Sequence, residues 1–310
     1  MKELVRPSRL APGARVAVVA PSGPVAEERL QAGLDLLRGW DLDPVVAPHV
    51  LDRHGRLPHL AGTDADRAAD LQRAWCDPRV DAVLCARGGY GAQRVVDLLD
   101  WDAMRAAGPK VFVGFSDATT LHEAFAVRLG LVTLYGPVAA GIDFIKNARA
   151  QEHLRATLFA PETVRTLGAA RPVRPALASG RARGVTLGGC LTLLATGHGT
   201  PHTRSGARGG LLLLEDVGEQ PYAVDRALTQ LLRTGWLDGV HGVLLGSWDR
   251  CGSYEALRPV LVDRLAGLGV PVVEEFGFGH CEGALTMPLG VPATLDADEG
   301  TLTLDEPALR

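Results

Sequence analysis

The sequence predicts an α/β protein: a parallel-sheet N-terminal domain followed by a smaller C-terminal α/β domain. Three observations carry this. Over residues 1–150, short apolar runs alternate with segments of helical spacing, the pattern of a parallel sheet with helices on both faces. Over residues 151–183 the alternation weakens into a polar helix and then a stretch rich in Pro, Arg, Gly and Ala, and this whole segment reads as the linker between the domains. From residue 184 to 310 the alternation resumes with new apolar runs.

Residues 15–20 form the first apolar run, closed by the turn Pro21-Ser22-Gly23-Pro24. Leu30, Leu34 and Leu37 then mark one face of a helix, and residues 44–47 a second strand. Thr63-Asp64 caps a helix carrying Ala68, Leu71 and Trp75. Residues 81–86 are a third strand, followed by the loop Arg87-Gly88-Gly89-Tyr90-Gly91 and a helix over 92–99. Val111-Phe112-Val113 is β-rich, Ala118, Leu121, Ala124 and Phe125 recur at helical spacing, and Gly130 is placed to end that helix. A strand over 131–135 ends in Gly136-Pro137. In the second domain, Leu211 to Leu214 run into Glu215-Asp216, Pro221 opens a strong helix, 240–247 is another strand, and 271–274 leads to Gly277-Phe278-Gly279-His280.

The chain is 46% hydrophobic and 22% charged with net charge −4, ordinary for a globular protein. The interspersed charges give no footprint for nucleic acid or an anionic membrane. No apolar run approaches the roughly 20 residues of a membrane span. The five apolar residues from Val16 to Ala20 are too few for a secretory leader. Cys76, Cys85, Cys190, Cys251 and Cys281 are widely spaced without a C-x-x-C. Reduced thiols and a cytoplasmic location are the expectation.

Chemistry concentrates where strands end. Gly114-Phe115-Ser116-Asp117 sets Ser116 on a tight strand-to-helix turn, the context in which G-x-S exposes a nucleophilic hydroxyl. Ser or Asp before a helix also serves as an ordinary cap. Glu215 ends a strand of four leucines, and His280 sits in a glycine-rich loop able to present an imidazole. The chain order Ser, Glu, His is that of α/β-hydrolase triads: serine attacks, histidine takes its proton, and the acid fixes the imidazole tautomer. The loop at 87–91 departs from a dinucleotide fingerprint, with Arg94 at the sixth position. Its backbone N–H groups read better as oxyanion donors. His198 and His202 have Gly199 and Pro201 between them and do not form a helical metal pair. No metal or cofactor is expected.

These motifs, together with Ala20-Pro21-Ser22-Gly23, Ala61-Gly62-Thr63, Glu219, Pro221-Tyr222 and Asp225-Arg226, resemble the LD-carboxypeptidase family, over about residues 16–304. That family includes muropeptide LD-carboxypeptidases and microcin C self-immunity proteins. The resemblance implies a flavodoxin-like N-terminal domain, often a homodimer, and a site at the domain junction. It places a nucleophile at Ser116, a triad acid at Glu215, a base at His280, and oxyanion N–H donors at Gly89 and Asp117. The implied substrate is a murein tetrapeptide, cut before its terminal D-alanine through an acyl-enzyme. A microcin-type peptidyl- or aminoacyl-nucleotide, or a non-catalytic muropeptide-binding relative, is the alternative. Arg87 and Tyr90 are candidate substrate contacts. Cys190 stands in Leu187-Gly188-Gly189-Cys190-Leu191 where the family usually has Gly-Gly-Asn-Leu. It is either a weak S–H donor to substrate or a small buried residue at a helix start.

Overall fold

The computed structural model describes residues 3–168 and 176–310. Residues 169–175 of the expected linker, 151–183, lie outside them. The first half lays down β1 (Arg15–Val19), α1 (Glu27–Gly39), β2 (Asp43–Val46), α2 (Asp64–Cys76), β3 (Ala82–Cys85), α3 (Trp101–Ala106), β4 (Val111–Gly114), α4 (Thr119–Ala124), β5 (Thr133–Tyr135), α5 (Ile142–Lys146) and α6 (Ala148–Phe159). The five strands are parallel in the order β2-β1-β3-β4-β5, the flavodoxin arrangement, whose ligand crevice opens at the carboxyl ends of the strands. Its buried strands are apolar on both faces, as helices on both sides require. On one face Val16 and Val18 pack with Leu30, Leu34, Phe144 and Leu154. On the other, Val19 and Phe112 pack with Leu71, Trp75 and Phe125.

Residues 92–99 form two short 3-10 turns in place of the expected helix. The helix after Ser116 begins as a 3-10 turn, widens at Phe125–Leu129, and stops at Gly130, whose φ of +65° suits glycine. The segment expected to be linker carries most of α6, capped by the Asn147 side chain.

The second half adds β6 (Thr166–Gly168), β7 (Arg181–Cys190), α7 (Leu191–Gly197), β8 (Gly210–Val217), α8 (Pro221–Arg233), β9 (Gly242–Asp249), α9 (Tyr254–Leu265), β10 (Val272–Val273), β11 (Met287–Leu289), β12 (Pro292–Asp296) and β13 (Thr301–Leu304). Seven of these strands form the order β10-β9-β8-β7-β12-β13-β6, parallel from β10 to β7 and antiparallel beyond. The eighth, β11, crosses over and pairs antiparallel with β5 at the edge of the first sheet.

The two halves therefore share a core. Tyr135 and Val132 pack with Leu211, Leu213, Phe278 and Met287. An ion pair adds to this, the buried Glu123 of α4 with the half-buried Arg204.

His122 of α4 is 1% exposed and sits directly under the Ser116 turn. Its Nε2 lies 2.8 Å from the Gly114 carbonyl, which can only accept, so Nδ1 accepts from the Thr133 hydroxyl at 2.8 Å. Burial lowers its pKa to about 4. An unfolded imidazole titrates near 6.5, so unfolding binds a proton between these values. The stability from His122 is full above about pH 6.5 and is lost as pH falls toward 4. We expect its contribution to drop by about 2 kcal/mol between pH 7 and pH 5, seen in urea unfolding. The His122 ring NMR signals should stay untitrated above pH 5, and a midpoint near 6.5 would refute this account.

Candidate active site

The turn after β4 is the tightest point of the site. Ser116 has φ +62°, a left-handed conformation that costs a non-glycine residue energy and persists only when its surroundings impose it. Here they do. The Ser116 N–H donates to the Tyr135 hydroxyl at 3.0 Å, and the Ser116 carbonyl accepts from the Thr119 hydroxyl at 2.7 Å. The Thr119 oxygen in turn accepts the Cys190 N–H at 3.0 Å, tying the turn to the second sheet.

Glu215 projects from β8 at a shift in the β8–β9 register between Leu214 and Asp216. Such bulges re-aim a side chain beside a site. Its carboxylate is fully buried, so both oxygens need donors. Oε1 accepts from the Tyr135 hydroxyl at 2.5 Å, and Oε2 lies 2.6 Å from His280 Nδ1. Burial, with the Glu215 charge next in weight, raises the Tyr135 pKa well above its ordinary value, so the phenol keeps the proton it donates. Asp216 faces elsewhere: its Oδ2 accepts from both the N–H and the hydroxyl of Thr192, at 2.8 Å each, capping α7.

His280 reaches Glu215 because Gly279 precedes it. Gly279 has φ +90°, and a Cβ there would stand 2.6 Å from Glu215 Oε2. The Phe115 ring packs 4.8 Å from the imidazole. Beyond His280 the chain is held from the first half: Asp143 accepts the N–H groups of Gly283 (2.9 Å) and Ala284 (3.2 Å), and His153 Nδ1 accepts that of Thr286 (3.1 Å). Burial lowers the His153 pKa to about 4, keeping that nitrogen available as an acceptor at neutral pH.

A cleft of about 390 Å³ opens over this arrangement, lined by Ser116, His280, Gly89, Tyr135 and Asp143 among others. Gly88 packs so closely that a Cβ on it would meet Ser116 Cβ at 3.0 Å, and Gly89, at φ +110°, faces the cleft. Arg29, Arg87 and Arg250 also line it, whereas the one lining carboxylate, Asp143, is engaged by backbone N–H groups. The cleft is an anion-attracting space.

Of the residues singled out in the sequence, Ser116, His280, Gly89 and Arg87 meet in the cleft, with Glu215 behind His280. Asp117 lies under the wall, 1% exposed, its carboxylate accepting the Ala92 N–H at 2.7 Å. Its own N–H belongs to the first helical turn, which leaves such donors unpaired. Two expected substrate contacts are placed differently. Tyr90 is 45% exposed and packs against the His59 ring, away from the cleft lining. Cys190 is 3% exposed with Sγ 3.4 Å from Asp216 Oδ1, because the strand end turns it into the sheet. It is the buried small residue at a helix start. Tyr135, Thr119, Asp143 and His153 were missed. Only Tyr135 carried a sequence signal, as a polar residue ending a strand before Gly136-Pro137.

Fold and site together define a class: a two-domain α/β protein in which a strained serine turn and an imidazole–carboxylate pair converge on one cleft. The chain belongs to the LD-carboxypeptidase family. Its N-terminal domain matches over residues 16–136 and its C-terminal domain over residues 183–295. A Streptomyces coelicolor protein bearing a carboxypeptidase name is 80% identical over 310 residues, 100% of this chain and 99% of that one. The murein tetrapeptide carboxypeptidase of Pseudomonas aeruginosa is 33% identical over 291 residues, 92% of this chain and 94% of that one. Among solved structures, MccF in complex with glutamyl sulfamoyl guanosine superposes with a TM-score of 0.87 at 24% identity, covering 98% of this chain and 99% of that one. This last likeness concerns the fold. Among the described residues no helix is long and apolar enough to cross a membrane.

Two substitutions test the local geometry. Tyr135→Phe leaves the Ser116 N–H and Glu215 Oε1 buried without partners, and should cost about 1–3 kcal/mol in urea unfolding. A loss indistinguishable from zero would mean the phenol does not bridge them. Cys190→Asn puts an amide where the thiol has one weak partner. It should lower Tm by the equivalent of roughly 1–3 kcal/mol and bring no gain in kcat/KM on a murein tetrapeptide, whereas a gain would return Cys190 to the substrate.

Proposed function

We propose that the protein is a serine carboxypeptidase that removes the terminal D-alanine of murein tetrapeptides by cutting the L,D-peptide bond, through a Ser116–His280–Glu215 triad. The observation that carries the reading is the 2.6 Å contact between His280 Nδ1 and the buried Glu215 carboxylate, in the same cleft as the strained Ser116 turn. A carboxylate on Nδ1 keeps the proton there and leaves Nε2 as the basic nitrogen. Nε2 takes the Ser116 proton as Oγ adds to the scissile carbonyl, and the N–H groups of Gly89 and Asp117 stabilise the oxyanion. The proton then passes to the leaving amine of D-alanine, and the acyl-serine ester is hydrolysed by water activated by the same imidazole.

Ser116 Oγ and His280 share no hydrogen bond among the described residues. Such contacts commonly tighten only with substrate bound. The arginines of the cleft suit a substrate ending in a carboxylate, and the murein relative at 33% identity over most of both chains favours a muropeptide over a nucleotide conjugate.

Mass spectrometry of a murein tetrapeptide and of a peptidyl-nucleotide, each incubated with pure protein, tests the substrate. Release of D-alanine supports the proposal, and cleavage of the nucleotide conjugate alone overturns it in favour of the microcin-type reading. Ser116→Ala should stay folded, lose fluorophosphonate labelling and lose essentially all turnover, since members of a triad act as a unit. Glu215→Gln should lower kcat far more than it changes KM. Turnover surviving in Ser116→Ala, or the same defect confined to Asp216→Asn, would move the chemistry elsewhere.

A further inference from the structure

The turn Pro21-Ser22-Gly23-Pro24, which follows the first strand, has no part in the chemistry proposed above, yet it lies against the glycine loop over residues 87–91. The Gly23 N–H donates to the Gly88 carbonyl at 3.1 Å, and a Cβ on Gly23 would stand 3.0 Å from that oxygen. A peptide is planar, and in its trans form the C=O and the N–H point to opposite sides. With the Gly88 carbonyl turned to Gly23, the N–H of the same peptide, that of Gly89, is turned away from it, toward the cleft that Gly89 lines. This peptide needs holding. A Cβ on Gly88 would meet Ser116 Cβ at 3.0 Å, and Gly89 has φ +110°, so both positions call for glycine. Two successive glycines leave the peptide between them free to rotate, and rotation would present a carbonyl oxygen to the cleft in place of the N–H. The Gly23 contact blocks that rotation only while the two loops stay together.

Arg67 of α2 keeps them so. Its side chain is 1% exposed, and its Nη1 donates to two carbonyls, that of Pro21 on one loop and that of Gly91 on the other, the latter at 3.0 Å. Nη2 pairs with Asp64, which Arg94 also holds, so the buried cation has its counter-charge. Gly91 makes room for the guanidinium, since a Cβ there would stand 2.7 Å from Nη1. The other ends of the two loops are fastened as well. Arg87 donates to the Pro24 carbonyl at 2.6 Å, and the Asp117 carboxylate accepts the Ala92 N–H at 2.7 Å.

We propose that Arg67 is a positioning residue for the oxyanion hole: by tying the 21–24 turn to the 87–91 loop it keeps the Gly88 carbonyl on Gly23 and the Gly89 N–H aimed at the cleft. The inference rests on the serine chemistry proposed above and names what holds one of its two donors. Arg67 stands behind the cleft wall, buried, and touches no reacting atom. Its effect on the reaction passes through one peptide plane, so it falls on the transition state, where the oxyanion forms, and leaves the binding of ground-state ligands alone.

Two variants test this from opposite sides. Arg67→Met removes the tie, and Gly23→Ala crowds the Gly88 carbonyl while Arg67 stays. Each should lower kcat on a murein tetrapeptide by about 10- to 100-fold, up to the low end of what losing an oxyanion donor costs, with KM within about twofold of wild type. The Ki of a tripeptide aldehyde, whose hemiacetal oxygen occupies the oxyanion hole, should rise by the factor by which kcat/KM falls, while the Kd of the product tripeptide stays the same. Should Arg67→Met not fold, Gly23→Ala carries the test. Wild-type kcat and aldehyde affinity in a folded variant, or equal losses for aldehyde and product, overturn the role of Arg67. Fluorophosphonate labelling of Ser116 separates this inference from the carboxypeptidase reading, because it draws on the same N–H donors and needs no peptide. A wild type that is labelled but releases no D-alanine, with labelling slowed about 10-fold or more in the variants, keeps the positioning role and overturns the substrate. Release of D-alanine at full rate by the variants does the reverse, and a wild type that is neither labelled nor active overturns both.

Discussion

Everything in the site depends on one buried carboxylate. Glu215 has no contact with solvent, and a charge so placed is tolerable only if donors meet each oxygen. One donor, Tyr135, ends a strand of the first sheet, and the other, His280, sits on a loop leaving the second. Because Tyr135 also accepts the Ser116 N–H, a single phenol fixes the strained serine turn relative to the acid. Serine, imidazole and carboxylate come from different halves of the chain, and this hydroxyl keeps their spacing from drifting.

The chain path gives the same result at larger scale. The His280 loop hangs between β10, in the second sheet, and β11, which completes the first. Asp143 and His153 secure its far end from the first half. The C-terminus returns as well, with Arg310 exchanging backbone hydrogen bonds with Pro7 and Arg9, and Ala308 and Leu309 entering the first core. With a shared hydrophobic cluster and the Glu123–Arg204 pair at the junction, independent motion of the halves would expose apolar surface and leave the buried Glu123 carboxylate without its partner. A site assembled across a junction therefore gains rigidity that two loosely tethered domains would not supply.

Electrostatics divides the labour around this frame. The acids of the main cleft are already engaged, Glu215 by Tyr135 and His280, and Asp143 by backbone N–H groups. Arg29, Arg87 and Arg250 line it as well. The cleft presents net positive charge to an incoming ligand although the chain as a whole carries −4. Net charge describes solubility and long-range attraction, whereas the field in a cleft is set by which charges lack partners there.

The sequence by itself determined the parallel α/β class, the strand-to-turn position of Ser116, the strand-end position of Glu215 and the glycine-flanked loop of His280. Each follows from local periodicity and from glycine punctuation, which are properties of neighbouring residues. Only the tertiary structure decided which strand-end acid faces the imidazole. Glu215 and Asp216 are adjacent and chemically alike, and a register shift in β8 turns one to His280 and the other to the start of α7. It decided that Cys190 is enclosed, since the strand direction at residue 190 depends on what packs beside it. It brought β11 to the first sheet and Tyr135 to Glu215, pairings 80 residues or more apart in sequence. No local pattern encodes such pairings, because they arise from how two sheets close around a shared core.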